Sequence, residues 1–256
     1  LGHKFIKIAK KNKSKIVPLD SEHFSIYRLL KLNKKNELSK ITITASGGPF
    51  YKMNLKYIKN VTPNQALKHP IWKMGKKISV DSATMMNKAL ELIEAKFLFD
   101  LEISQLNAVI HPESVIHASI NYKDGTTTCL MYEPDMKIPI SNLFNEFKKD
   151  SFDNNCVDFV KINKFHFLNI NEKKYPAIKL CYEVLRKGGI APHIFNYNNE
   201  ILVNKFLERK IKFLDIVNYN KITLDNYFAK NKNITNPSIL NLKEANKWID
   251  SNIFLG

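Results

Sequence analysis

Arginine is scarce in this chain. Only Arg28, Arg186 and Arg209 stand among 40 basic residues, so nearly all of the formal charge of +16 is lysine. The planar guanidinium fork is the side chain best suited to reading bases and gripping phosphates. Its scarcity argues against a dedicated nucleic-acid partner and leaves weak, salt-sensitive attraction to polyanions. The lysine arrives with abundant Asn, Ile, Tyr and Phe, residue types that share AT-rich codons, so base-composition drift accounts for the charge. Cysteine is sparse too. Cys129, Cys156 and Cys181 are odd in number, far apart and in no C-x-x-C arrangement. That argues against a disulfide framework or a zinc site and fits a reducing compartment. No apolar run approaches the roughly 20 residues needed to span a bilayer, so no membrane partner is expected. "LGHKFIKIAKKNKSK" lacks the apolar core of a secretory signal. No G-x-G-x-x-G occurs, so the usual dinucleotide phosphate loop is missing. The first residue is Leu rather than Met, as in a processed chain or a piece of a longer one.

What is present suffices for one large domain or two smaller ones: 256 residues, 44% hydrophobic and 11% aromatic. "KFIKIAKKNKSK" has the look of the end of a basic helix. "KIVPLD" predicts a short apolar strand, followed by a helix from about His23 capped by Asp20 or Ser21, with Phe24, Tyr27 and Leu30 on its apolar side. "KNELSK" reads as a loop and "ITITASGGPF" as a strand entering a Gly-Gly turn. The two prolines around Trp72 and Met74 suggest a loop with an exposed apolar tip. "KISVD" predicts another strand. "LNAVIHPESVIHASINY" and "TTTCLMYEPDM" are strand-like runs about the turn "KDG". The expected architecture is therefore an α/β (α+β) domain over residues 1–145, a linker over 146–172, and a C-terminal helical bundle over 173–256.

Three features could carry chemistry. Asp20 and Glu22 flank Ser21 just past an expected strand, where two carboxylates can share a crevice; solvated acids at a helix start are the plainer alternative. Ser46, Gly47 and Gly48 offer a hydroxyl and unobstructed N–H groups, a possible phosphate cradle or an ordinary tight turn. In "ISVDSATMMNKALELIEAKFLF", helical spacing puts Met86, Ala89, Leu90, Ile93 and Phe97 on one side and Thr84, Asn87, Lys88 and Glu91 on the other. Such a polar stripe usually meets solvent. It would alternatively bring two phosphate donors and a third carboxylate to a site near Ser82. Three carboxylates form a set preferred by a hard ion such as Mg²⁺ or Mn²⁺.

"PLDSEH", "TASGGPF", "HPIWKMGKKISVDSATMMNKALELIEAKFLF", "VIHPESVIHASI" and "EPDMKIPI" together resemble the 1-deoxy-D-xylulose 5-phosphate reductoisomerase family of the non-mevalonate isoprenoid pathway. The likeness runs from about residue 4 to the C-terminus, most strongly to about residue 141. It implies one divalent metal on Asp20, Glu22 and Glu91. It implies a substrate phosphate held by Ser46, Ser82, Asn87 and Lys88, with His69 on the substrate as well and Ser21 on its oxygenated carbons. It further implies a flap over "HPIWKMG" with Trp72 as lid, Gly75 beside the cofactor, and Pro134 and Met136 near the nicotinamide of NADPH. Lys88 and the three acids are the catalytic residues that the resemblance carries over. A homodimer is implied, in bacterial cytoplasm or, alternatively, plastid stroma. The family's NADPH-binding, Rossmann-like domain lies N-terminal to these motifs and is not in this sequence, so a fragment or one half of a split enzyme, paired with a separate NADPH-binding chain, is expected. Smaller departures are Tyr51 for a usual basic residue, Ala89 for a usual Gly, the bulkier Tyr197 in "FNYNNE", and no Trp-Pro after Ile140.

Overall fold

A computed structural model describes residues 2–32, 37–72, 74–147 and 156–252. In chain order the elements are α1 (Gly2–Lys11), α2 (Ser21–Leu32), β1 (Leu38–Ala45), α3 (Leu55–Ile58), α4 (Pro63–Ala66), α5 (Lys76–Thr84), α6 (Met86–Phe99), β2 (Leu106–Ile110), β3 (Ile116–Tyr122), β4 (Thr127–Met131), α7 (Lys137–Phe147), α8 (Phe159–Ile162), α9 (Pro176–Lys187), α10 (Ala191–Leu207), α11 (Asp215–Lys230) and α12 (Ile239–Asn252). No helix among the described residues is long and apolar enough to cross a membrane.

The chain forms two compact units, one of residues 2–47 and 94–170, the other of 48–93 and 171–256. In the first, a sheet of order β2-β1-β3-β4 is built on β1, whose β-branched run Ile41–Thr44 is buried. Parallel pairing of β1 with β2 runs from Ile41 opposite Leu106 to Ala45 opposite Ile110. Two parallel neighbours need a long crossover, and the chain spends residues 46–105 on it. β3 lies antiparallel to β1, and β3 and β4 form a hairpin. Its turn is set by Gly125 at φ 87° and by the Asp124 carboxylate, which accepts the Thr126 N–H at 2.8 Å. α2 packs on β3 and β4, burying Phe24, Ile26 and Leu29, while Tyr27 and Leu30 are half-buried. Leu168 pairs with Ile110 in an isolated antiparallel bridge beside β2.

In the second unit, Phe50, Ile58, Val61, Ala66, Val80 and Ala83 share one core with Leu202, Val203, Phe206, Phe213 and Ile216. α10 is its axis, in contact with α5, α9, α11 and α12. The helices expected after Tyr175 are thus present, and residues 48–93 group with them in one unit. These units therefore differ from the serial order 1–145, 146–172 and 173–256.

Several local expectations change. Ile16 and Val17 lie outside any strand, next to Pro18, which has no N–H for a ladder. "KISVD" is helical within α5: Val80, Ala83 and Thr84 are buried at helical spacing, and a five-residue alternation is too short to exclude that period. Leu38–Lys40 of the expected loop belong to β1, while Lys35 and Asn36 lie outside the described residues. Residues 148–155 of the expected linker also lie outside them; the rest of the linker contains the end of α7, the short α8 and the Leu168 bridge. Trp72 and Met74 are half-buried rather than an exposed tip.

The Gly-Gly turn after β1 forms as expected, with Gly47 at φ 88° and Gly48 at φ 64°. A Cβ on Gly48 would stand 2.8 Å from the Ser82 carbonyl oxygen. Gly48→Ala is therefore expected to destabilise the chain by about 1–3 kcal/mol, measured by urea unfolding.

Candidate metal centre

Asp20 caps α2. Its Oδ1 accepts the N–H groups of Glu22 and His23, each at 3.1 Å, which satisfies two orphan donors of the first turn. The Ser21 hydroxyl donates to the Glu22 carboxylate. The Ser21 carbonyl accepts the Ser25 hydroxyl at 2.7 Å and the Tyr132 hydroxyl at 2.9 Å. Burial holds the Tyr132 phenol well above its ordinary pKa, and the carboxylates of Glu22 and Asp20 push the same way. His23 is buried, with Nδ1 3.2 Å from Asp20 Oδ1 and 3.7 Å from Glu94 Oε2. Glu94 follows Glu91 by nearly one turn of α6, so the helix that carries the third acid runs past the start of α2.

Asp20, Glu22 and Glu91 each offer a carboxylate oxygen, and these oxygens lie within 4.8 Å of one another. In an octahedral Mg²⁺ shell, ligand oxygens stand about 3 to 4.2 Å apart, a little closer than the 4.8 Å limit here. The donors are all hard oxygens, a set that suits a small divalent cation. The residues fit a hard divalent ion.

The polar stripe does not meet solvent. Thr84, Lys88 and Glu91 are 3%, 4% and 4% exposed, and Asn87 is half-buried. Lys88 Nζ donates to Glu91 Oε2 at 2.5 Å, and Asn87 Nδ2 to Glu91 Oε1 at 2.5 Å. The stripe is also not on one helix, because Met85 is left-handed at φ 63° and separates α5 from α6. That break gives α6 an N-terminus at Met86, with Asn87 and Lys88 in its first turn, where anions are favoured. Ser82 lies in the last turn of α5, not at its start. The close approach of Gly48 fixes the Gly-Gly turn against the Ser82 backbone. Ser46, half-buried, leads into that turn from β1.

His69 folds its own loop: Nδ1 accepts the N–H groups of Ile71 at 3.2 Å and Trp72 at 2.8 Å. The remaining ring proton is therefore on Nε2. Gly75 caps α5 and has open space where a Cβ would stand. Pro134 lines a cleft of about 610 Å³ with Glu133, Asp135, Cys156, Asp158, Lys161 and Ile162; its acidic lining does not suit dinucleotide phosphates. Met136 is half-buried in the turn before α7.

The departures are accommodated locally. Ala89 is fully buried, and its carbonyl accepts the Cys181 thiol at 3.1 Å. Lys174 Nζ donates to the carbonyls of Tyr51 and Met53, bringing a basic group to the turn where Tyr51 stands. Tyr197 donates to Asp250 of α12 at 3.1 Å. α7 runs unbroken without the Trp-Pro. Sequence reasoning missed Tyr132 and Glu94, and also Asp81, buried and bonded by Lys77 at 2.7 Å and Asn199 at 2.8 Å. Of these, Tyr132 had a signal, being adjacent to "EPDM".

Two family models match the chain. The model of the 1-deoxy-D-xylulose 5-phosphate reductoisomerase C-terminal domain covers residues 16–99, and that of the DXP reductoisomerase C-terminal domain covers 131–251. A reductoisomerase of that name from a Sulfurihydrogenibium species is 45% identical over 85% of this chain and 57% of its own length. One from Ehrlichia canis is 44% identical over 97% of this chain and 66% of its own. The solved structure of the Zymomonas mobilis 1-deoxy-D-xylulose 5-phosphate reductoisomerase in complex with NADPH matches with a TM-score of 0.87 at 36% identity, over 96% of this chain and 63% of that one. A DOX-P reductoisomerase in complex with NADPH, fosmidomycin and magnesium gives a TM-score of 0.85 at 34% identity, over 98% of this chain and 66% of that one. The fold is thus that of the C-terminal part of a reductoisomerase. The chain belongs to the 1-deoxy-D-xylulose 5-phosphate reductoisomerase family, and it spans between 57% and 66% of the length of these relatives.

Burial lowers the His69 pKa to about 4, from an ordinary 6.5. A folded value below the unfolded one means that the open state binds the proton more readily, so the loop is fully held above pH 6.5 and loses stability as pH falls toward 4. In NMR titrations the His69 ring should titrate near pH 4, with the Ile71 and Trp72 amide shifts moving alongside it.

Proposed function

We propose that this chain is the metal- and sugar-phosphate-binding part of a reductoisomerase that rearranges 1-deoxy-D-xylulose 5-phosphate and reduces it to 2-C-methyl-D-erythritol 4-phosphate with NADPH. The observation that carries the reading is the set of three carboxylate oxygens within 4.8 Å, one of them on a buried glutamate bonded to a buried lysine. Family membership supports it, as do the magnesium and NADPH named with the related crystal structures.

Asp20, Glu22 and Glu91 would hold one Mg²⁺ or Mn²⁺ ion, which supplies Lewis-acid polarisation of neighbouring substrate oxygens. Lys88 and Asn87, at the N-terminus of α6, hold the phosphate with Ser82 and Ser46, and this remote anchor orients the reacting carbons. Ser21 contacts the oxygenated carbons. His69 reaches the substrate through Nε2–H while its Nδ1 shapes the flap, and Trp72 closes over the site to exclude water. Gly75, Pro134 and Met136 are the residues that would border the nicotinamide. The body of NADPH is held outside this chain, by a preceding domain or a separate polypeptide, and the working unit is a homodimer. A second reading is a polypeptide that binds metal and sugar phosphate without turnover of its own.

Mn²⁺ titration with a phosphonate-hydroxamate substrate mimic should show one ion per chain, bound more tightly with the mimic present. Glu91→Gln should raise the Mn²⁺ Kd at least about 10-fold; unchanged binding overturns the site. NADPH oxidation by the chain alone would eliminate the second reading.

A further inference from the structure

We propose that Tyr132 is a positioning residue for the acidic turn: its buried hydroxyl, donated to the Ser21 carbonyl, fixes the backbone that presents Asp20 and Glu22. The inference rests on the metal reading above and extends it to a residue outside the ligand set. Tyr132 follows β4 and leads into Glu133–Met136. It is 6% exposed and held on every side. Its N–H donates to the Val115 carbonyl at 3.0 Å, and its own carbonyl accepts His117 Nε2 at 3.2 Å. Its ring stacks on His117 at 3.9 Å and meets Phe24 edge-on at 6.3 Å. A phenol gripped this way has little freedom, so the hydroxyl is preorganised at the tip of a rigid arm.

The arm reaches across 111 residues of sequence to one carbonyl, 2.9 Å away. Ser21 is the residue between the two acids. Rotation of its peptide would swing Asp20 and Glu22 apart, because both side chains leave the same short turn. Only one other hydroxyl bonds that carbonyl among the described contacts, that of Ser25 at 2.7 Å, and Ser25 Oγ is also 3.5 Å from the Tyr132 hydroxyl. Tyr132 therefore ties the end of β4 to the ligand turn, two residues before Pro134, which is expected beside the nicotinamide. Metal ligands are generally oriented by such outer partners.

Tyr132→Phe keeps the ring and its stack and removes only the hydroxyl. Titrated with Mn²⁺ and followed by electron paramagnetic resonance, the variant should show a Kd raised about 3- to 10-fold. The bound-ion spectrum should broaden, while the melting temperature in EDTA falls by no more than the few degrees that one buried hydrogen bond accounts for. Ser25→Ala removes the second donor and should weaken binding in the same direction, which keeps the test available if Tyr132→Phe folds poorly. Wild type that binds Mn²⁺ while both variants bind equally well, with the same spectrum, overturns this inference alone. A weakened Kd matched by a general loss of melting temperature also overturns it, since that is what mere packing predicts. Wild type that takes up no Mn²⁺ overturns the metal reading and this inference with it.

Discussion

Lys88 and Glu91 stand less than one helical turn apart at 4% exposure each, and charges taken this far out of water cost several kcal/mol apiece before pairing. The pair offsets part of that by a direct 2.5 Å bond, and Asn87 occupies the other glutamate oxygen. An arrangement of this kind is a weak source of stability, because apolar side chains of similar volume would serve at least as well. Under the proposed function the glutamate would face a cation and the lysine an anion. The Met85 break gives α6 its own N-terminus next to Lys88.

Much of this was legible in the sequence, and the parts that were not have local causes. The alternation "ITIT" and the "KDG" turn marked β1 and the hairpin, because period and turn chemistry agreed there. The "KISVD" strand failed because the same five residues also satisfy helical spacing, and Gly75 supplied the cap. The candidate acids, Lys88 and the Gly-Gly turn were visible as residue types. Their burial was not, since a polar stripe on a helix reads as a solvated face until tertiary packing is known. Family likeness, rather than spacing, linked the three segments.

The two compact units were hidden for a different reason. Residues 48–93 leave the sheet after β1 and return to it through α6. This excursion supplies Phe50, Val80 and Ala83 to the core of α10 and α11. A linear reading assigns a stretch to the strands on either side of it, whereas here the apolar residues of the crossover find their partners more than 100 positions later.

The bridge from Ile110 to Leu168 has a practical corollary. β2 is the outer strand on its side of the sheet, and the stretch ending near residue 170 lies along it. His166 reinforces the bridge, its backbone N–H donating to Glu113 at 3.1 Å. Strand rims left bare recruit other chains into intermolecular sheets. Leu168→Pro, which removes the N–H that Leu168 donates to the Ile110 carbonyl, would loosen the cover over that end of the rim, and self-association rather than lost chemistry would be the first symptom.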